Sequence, residues 1–137
     1  METNYTFLII DDNAIDQIIA TQLLKKVLGA TKINSATNGN EAIKWISNNR
    51  TSFKEALIIL LDIKMPEMDG FDFLTKYDTL AEELKKETQI FMLSSTLDPH
   101  DIQRAENNPY VKTLLSKPLP IKEFRDLIYP DLSSKTA

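Results

Sequence analysis

The stretch Leu57-Ile58-Ile59-Leu60-Leu61-Asp62-Ile63-Lys64-Met65-Pro66 decides the fold. Its five leading apolar residues run without a break and stop at an acid. A parallel strand buried on both faces reads this way, because alternation disappears when neither face meets water. A buried helical segment looks similar over so few residues. Pro66 and the Asp69-Gly70 turn signal favour a strand that ends abruptly. Asp62 then lies at the carboxyl end of a central strand, which is where open α/β sheets bind ligands.

The same grammar repeats on either side. Phe7-Leu8-Ile9-Ile10 is a second unbroken apolar run that stops at Asp11 and Asp12. Asn13 can cap the helix that follows, with Ile15, Ile18, Ile19, Leu23, Leu24, Val27 and Leu28 at helical spacing and Gly29 as its end. Residues 32–36 read as a weak strand. After the Asn38-Gly39 turn, Asn40 can cap a second helix with Ala42, Ile43 and Ile46 inward. Residues 48–52 read as a polar loop. Beyond Asp69-Gly70 a third helix carries Phe71, Phe73, Leu74 and Tyr77, and residues 79–87 form a charged excursion. Residues 89–93 make a fourth strand ending at Ser94-Ser95-Thr96, and Asp98-Pro99 starts a fourth helix. Residues 110–115 make a fifth strand ending at Ser116-Lys117-Pro118. A last helix presents Phe124, Leu127 and Ile128 on one face, and residues 131–137 read as a frayed tail.

Five strands alternating with five helices predict a doubly wound parallel sheet covered on both faces. The 137 residues are expected to form one domain, with a core over about 7–129. A net charge of −4 disfavours non-specific binding to nucleic acid or anionic membrane. Cysteine is absent, which excludes disulfides, thiol catalysis and cysteine metal sites. The apolar runs are too short to span a membrane, and the first residues lack the pattern of a secretion signal, so a cytoplasmic location is expected.

The informative feature is where polar residues fall. The first strand ends in Asp11-Asp12, the third in Asp62, the fourth in Ser94 and the fifth in Lys117. Each has a plainer reading alone. The acid pair suits a helix cap, the serine a strand terminus, and the lysine a solvated surface. Met65, Met68 and Met92 suit packing, and His100 suits an exposed helix start. Four strand ends on one edge of a parallel sheet change the odds. Like charges about 4 Å apart repel by about 4 kcal/mol at an effective dielectric of about 20, so the carboxylates call for a cation. Mg²⁺ takes oxygen ligands and binds through one or two carboxylates plus a phosphate. Lys117 and Ser94 would hold phosphoryl oxygens, and Asp62 would attack phosphorus to form an aspartyl phosphate.

At Ile9-Ile10-Asp11-Asp12-Asn13, Leu61-Asp62-Ile63-Lys64-Met65-Pro66-Glu67-Met68-Asp69-Gly70, Met92-Leu93-Ser94-Ser95 and Ser116-Lys117-Pro118, the chain resembles a response-regulator receiver domain of two-component signalling. The resemblance implies a flavodoxin-like five-stranded sheet in the order 2-1-3-4-5. It implies transfer of a phosphoryl group to Asp62 from a histidine kinase or histidine phosphotransfer protein. It implies Mg²⁺ held by Asp12, Asp62 and the Lys64 backbone carbonyl, with Asp11 acting mainly through water. Ser94 matches the family's switch hydroxyl and Lys117 its lysine, with a cis bond expected at Lys117-Pro118. Thr96 and Lys64 look onto the mouth of the site, where Lys64 would pair with the phosphoryl group or shield it from water. The family's aromatic switch position holds Leu114, so signalling is expected to rest on backbone movement around Ser94 and Ser95. The output would be binding to a downstream protein target, or relay of the phosphoryl group, by a monomer or a phosphorylation-linked dimer without direct DNA binding. Such a chain is a phosphoacceptor signalling domain rather than a turnover enzyme.

Other chemistries on this fold fit less well. A dehalogenase-type phosphatase needs a second Asp two residues past the nucleophile, where Lys64 stands. A flavodoxin needs a phosphate-binding loop where Asp11-Asp12-Asn13 would repel the phosphate. A Gly-rich nucleotide loop is unavailable with Gly29, Gly39 and Gly70 scattered. A phosphorylation-independent interaction module remains as the second expectation, on account of Leu114.

Overall fold

A computed structural model describes residues 4–130. Five parallel strands, β1 (Tyr5–Ile10), β2 (Ile33–Ala36), β3 (Ala56–Asp62), β4 (Thr88–Ser94) and β5 (Val111–Ser116), form one sheet in the order β2-β1-β3-β4-β5. The helices are α1 (Ala14–Leu28), α2 (Gly39–Asn49), α3 (Gly70–Asp78), α4 (Glu82–Lys85), α5 (Pro99–Glu106) and α6 (Ile121–Ile128). The described residues thus hold six α-helices where the sequence predicted five, because the charged excursion before β4 winds one extra turn as α4. The expected tail, residues 131–137, lies outside the described residues.

The unbroken apolar run of β3 divides by strand parity. Leu57, Ile59 and Leu61 join Leu8, Ile10, Ile90 and Met92 in a layer beneath α2, α3 and α5. Ile58 and Leu60 join Phe7, Ile9, Phe91 and Leu93 in a layer beneath α1 and α6. Every residue from Leu57 to Leu61 is fully buried, so alternation has nothing to separate. Each such side chain contributes about 1.5–3 kcal/mol relative to exposure. A charge at Leu60 would be buried without a partner and would break the sheet at its centre.

Several local readings change. Asn38, not Asn40, caps α2: its side-chain oxygen accepts from the Glu41 backbone N–H at 2.8 Å. The expected polar loop at 48–52 is instead the end of α2 and a 3-10 turn, Arg50–Ser52, that buries Arg50. Backbone carbonyls engage its two terminal nitrogens, which donate to Glu55 at 3.2 Å, to Lys86, and to Glu87 at 3.4 Å, while its buried Nε has no hydrogen-bond partner among the described residues. The fifth strand starts and ends one residue later than expected, at Val111 and Ser116.

The largest departure is α1. Its caps are as expected, with Asn13 accepting from the Asp16 N–H and Gly29 left-handed at φ 67°. Its apolar residues are not all inward. Ala20 and Leu24 are buried, whereas Ile15 and Ile18 are 67% and 60% exposed and Ile19 and Val27 are also exposed. A helix apolar on more than one side cannot bury all of them against one sheet face.

Candidate functional site

Strand register assembles the site. Ile10 pairs with Leu61, which sets Asp11 beside Asp62. Asp62 pairs with Leu93, which puts Ser94 one step beyond. Ser94 pairs with Ser116, which puts Lys117 one step beyond that. Backbone bonds extend the ladder past the strand ends: Ile63 N–H donates to Leu93 O at 3.1 Å and Lys117 N–H to Ser94 O at 2.8 Å. Four separate segments therefore deliver a polar residue at or just past the strand end to one edge.

Asp11 is held on both sides of its peptide. Its N–H donates to Ala36 O at 3.1 Å, and its carbonyl accepts from Gln17 Nε2 at 2.7 Å. One carboxylate oxygen accepts from the Asn13 N–H at 2.9 Å. Asp11 and Asp62 are buried while Asp12 is exposed. Among the described residues, Asp11, Asp12 and Asp62 offer oxygens that all lie within 4.8 Å of one another. That donor set, three carboxylates at the rim of a buried crevice, fits a small oxygen-seeking divalent cation.

Lys117 crosses this group. Its Nζ lies 2.9 Å from Asp11 Oδ2, 3.1 Å from Asp62 Oδ1 and 2.8 Å from Asp16 Oδ2. Burial opposes the ammonium charge, but the hydrogen bonds to Asp16 and Asp11 and the field of Asp62 outweigh it and hold Lys117 above the ordinary lysine value. Burial, reinforced by Asp11 and Asp12, pushes the Asp62 carboxyl up to about 6, against the opposing pull of Lys117. Asp62 is thus an unusually basic carboxylate, as expected of a buried acid beside like charges.

The other predicted positions divide. Ser94 is buried, and its hydroxyl donates to the Thr96 carbonyl and accepts from the Thr96 N–H at 3.2 Å, so its own turn engages it. Lys64, Ser95 and Thr96 are exposed. Leu114 is half-buried and lines a groove between α5 and β5 with Leu97, Ile102 and Ala105. The Lys117-Pro118 bond is cis. The sequence reading missed Asp16. An acid in the first turn of a helix already has a local explanation in the helix dipole, so nothing in the sequence marks it as a lysine partner 101 residues away.

Comparison with known proteins gives a consistent set. A family profile described as the response regulator receiver domain matches residues 7–129. A response regulator receiver protein of Dyadobacter fermentans is 33% identical, covers 92% of this chain and 96% of its own, and superposes with a TM-score of 0.84. The two-component response regulator ARR17 of Arabidopsis thaliana is 27% identical over 134 residues, 93% of this chain and 84% of that protein. A CheX-CheY-BeF3-Mg²⁺ complex from Borrelia burgdorferi contains a chain 25% identical, with a TM-score of 0.74 over 95% of this chain and 90% of that one. By contrast, the chain spans only 22% of the length of the protein-glutamate methylesterase of Archaeoglobus fulgidus that it also matches.

Proposed function

The chain belongs to the response regulator receiver domain family of two-component systems, and we propose on that premise that it accepts a phosphoryl group on Asp62 and signals by protein binding or phosphorelay. One observation carries the reading: a half-buried lysine joins Asp62 of β3 to Asp11 beyond β1, in a crevice whose carboxylates outnumber its cations. The surplus of carboxylates suits a divalent cation, and a cation beside this lysine would suit an acceptor for a dianionic group better than a fold-stabilising pair.

An ionised oxygen of Asp62 attacks the phosphorus of a phosphohistidine. The new P–O bond forms as the P–N bond breaks, and the imidazole leaves with the electron pair. Asp12 and Asp62, with Asp11 through water and the Lys64 backbone carbonyl, would hold Mg²⁺. When bound, the cation neutralises negative charge on phosphoryl oxygens. The Lys117 ammonium turns from Asp62 to donate to a phosphoryl oxygen. The Ser94 hydroxyl leaves Thr96 to donate to another, and Ser95 and Thr96 move with it, biasing one conformation over another. Lys64 covers the mouth and slows attack by water. Hydrolysis of the anhydride returns the carboxylate and inorganic phosphate, so the chain's chemistry acts on itself.

The donor is a histidine kinase or histidine phosphotransfer protein. Ile15 and Ile18 are exposed on α1, the helix whose first turn carries Asp16, and offer that donor an apolar seat. The output is a downstream protein. A second reading, a phosphorylation-independent binding module, rests on Leu114 in place of an aromatic switch. Intact mass after incubation with acetyl phosphate separates the two. A single Mg²⁺-dependent phosphoryl adduct, absent from Asp62→Asn, is expected. No adduct where a control receiver is labelled would favour the second reading.

A further inference from the structure

The Lys117 ammonium meets three carboxylates: it donates hydrogen bonds to Asp16 at 2.8 Å and Asp11 at 2.9 Å, and it forms an ion pair with Asp62 at 3.1 Å. These partners are not equivalent. Asp11 and Asp62 belong to the set of three carboxylates that could hold a cation, and Asp16 does not. A metal entering the crevice therefore competes with Lys117 for two of its partners and leaves the third in place. Asp16 is also the nearest of the three and the most solvent-exposed, at 35% against 4% for Asp11 and 8% for Asp62.

Its placement is built by the helix start. Asn13 caps α1 by accepting from the Asp16 N–H at 3.0 Å, which fixes the backbone of Asp16 one turn into the helix. From there its carboxylate meets the lysine that β5 delivers. An incoming phosphoryl oxygen on Asp62 needs an N–H from this same lysine. It also brings negative charge to a crevice where Asp11, Asp12, Asp16 and Asp62 already stand against one ammonium.

We propose that Asp16 is a brake on phosphoryl capture: a positioning residue that holds the Lys117 ammonium toward α1 and competes with a phosphoryl group for it. The proposal rests on Asp62 being the phosphoacceptor. Donor count and charge count point the same way, since removing Asp16 frees one N–H and removes one repelling carboxylate. Asp16 touches neither phosphorus nor metal in this scheme and acts only through Lys117.

The test follows phosphoryl uptake from acetyl phosphate and Mg²⁺ by intact mass, with subsaturating donor, in the full chain and in Asp16→Asn, Asp16→Ala and Asp16→Glu. The Asn and Ala variants are expected to label about fivefold faster, the scale of a partly exposed charge pair. The Glu variant, which keeps the charge, is expected to stay near wild type. A second readout needs neither metal nor phosphate. In the metal-free protein the ¹⁵N-edited signal of the Lys117 ammonium is expected to show faster proton exchange with water in the Asn and Ala variants. Equal labelling rates in all four proteins, slower labelling in Asp16→Ala, or unchanged ammonium exchange would overturn the brake while leaving Asp62 as acceptor. A wild type that takes no label at Asp62 would overturn both readings together.

Discussion

A Cβ atom on Gly70 would stand 2.6 Å from the backbone oxygen of Asp62. The start of α3 thus rests directly on the residue that ends β3. The Gly70 N–H donates to Ile63 O at 2.8 Å, which ties the helix start to the segment that follows β3. Because the obstructing atom is backbone rather than a flexible side chain, Gly70→Ala must move the helix or the Asp62 loop. The expected loss is about 1–3 kcal/mol in urea unfolding, together with slower labelling of Asp62 in the fraction that folds. An unchanged midpoint would show that the two segments are not rigidly seated.

Asp62 makes stability depend on pH in the metal-free protein. Its folded value, about 6, lies above the ordinary 3.8. The folded state therefore binds this proton more tightly than the unfolded chain does. The stability so gained is fully present below about pH 4 and is lost as pH rises through about 6. Two units correspond to about 3 kcal/mol at most, and water at the crevice mouth reduces this to about 1–3 kcal/mol. Asp62→Asn is expected to raise the melting temperature at pH 7.5 without metal and to leave it nearly unchanged at pH 4. Added Mg²⁺ should narrow the difference at pH 7.5 by stabilising the wild type. A variant that melts at the wild-type temperature at both pH values would remove the electrostatic account.

Glu67, in the loop after Pro66, has φ 68°, a left-handed conformation that costs a side chain about 1–2 kcal/mol. Glycine adopts it freely but loses more chain entropy on folding. Glu67→Gly is expected to gain a net of about 0.5–1 kcal/mol in chemical denaturation, provided the loop keeps its shape. Destabilisation would mean the glutamate side chain holds the loop.

Arg50 joins the turn before β3 to the segment before β4 by donating to the carbonyls of Glu55, Lys86 and Glu87, and its guanidinium lies 4.8 Å over the Phe53 ring. Truncation leaves several acceptors without this donor. Arg50→Ala is expected to cost about 2–4 kcal/mol by urea unfolding. Because Arg50 lies outside the crevice, labelling of the folded fraction should continue. A loss under about 0.5 kcal/mol would show that water replaces the arginine.

Ile18 is 60% exposed on α1. If this face seats the phosphodonor protein, Ile18→Asp should slow transfer from a phosphorylated histidine protein about tenfold, equivalent to about 1.4 kcal/mol. Labelling by acetyl phosphate should change by no more than about twofold, since a small donor needs no seat. Equal slowing with both donors would place the effect in the crevice instead.

Much of this site is legible in one dimension, for a definite reason. Each strand of a buried parallel sheet is an apolar run, and the residue that ends the run is at the same edge as every other such residue. Asp11, Asp62 and Ser94 were readable because each is the first polar residue after such a run, and Lys117 because it follows the end of the fifth strand one residue on. Helix caps such as Asn13 and Gly29 were readable because capping is satisfied within a few residues. Asn38 in place of Asn40 shows the limit of that rule: both residues can cap, and only the path of the chain out of β2 selects one.

What the sequence determined by itself is the alternation of strands and helices and the set of strand-end residues, because both follow from local periodicity and from where burial must stop. The tertiary structure alone decided three further things. Packing area limits how much of α1 can be covered, so Ile15 and Ile18 face solvent although their spacing is helical. Backbone carbonyls from two separate segments make burial of Arg50 possible. Lys117 also bonds Asp16, because sheet register and the cap of α1 bring together two side chains that no local rule connects. Charge and hydrogen-bond partnerships depend on distances of a few ångströms between remote segments, and periodicity carries no such distances.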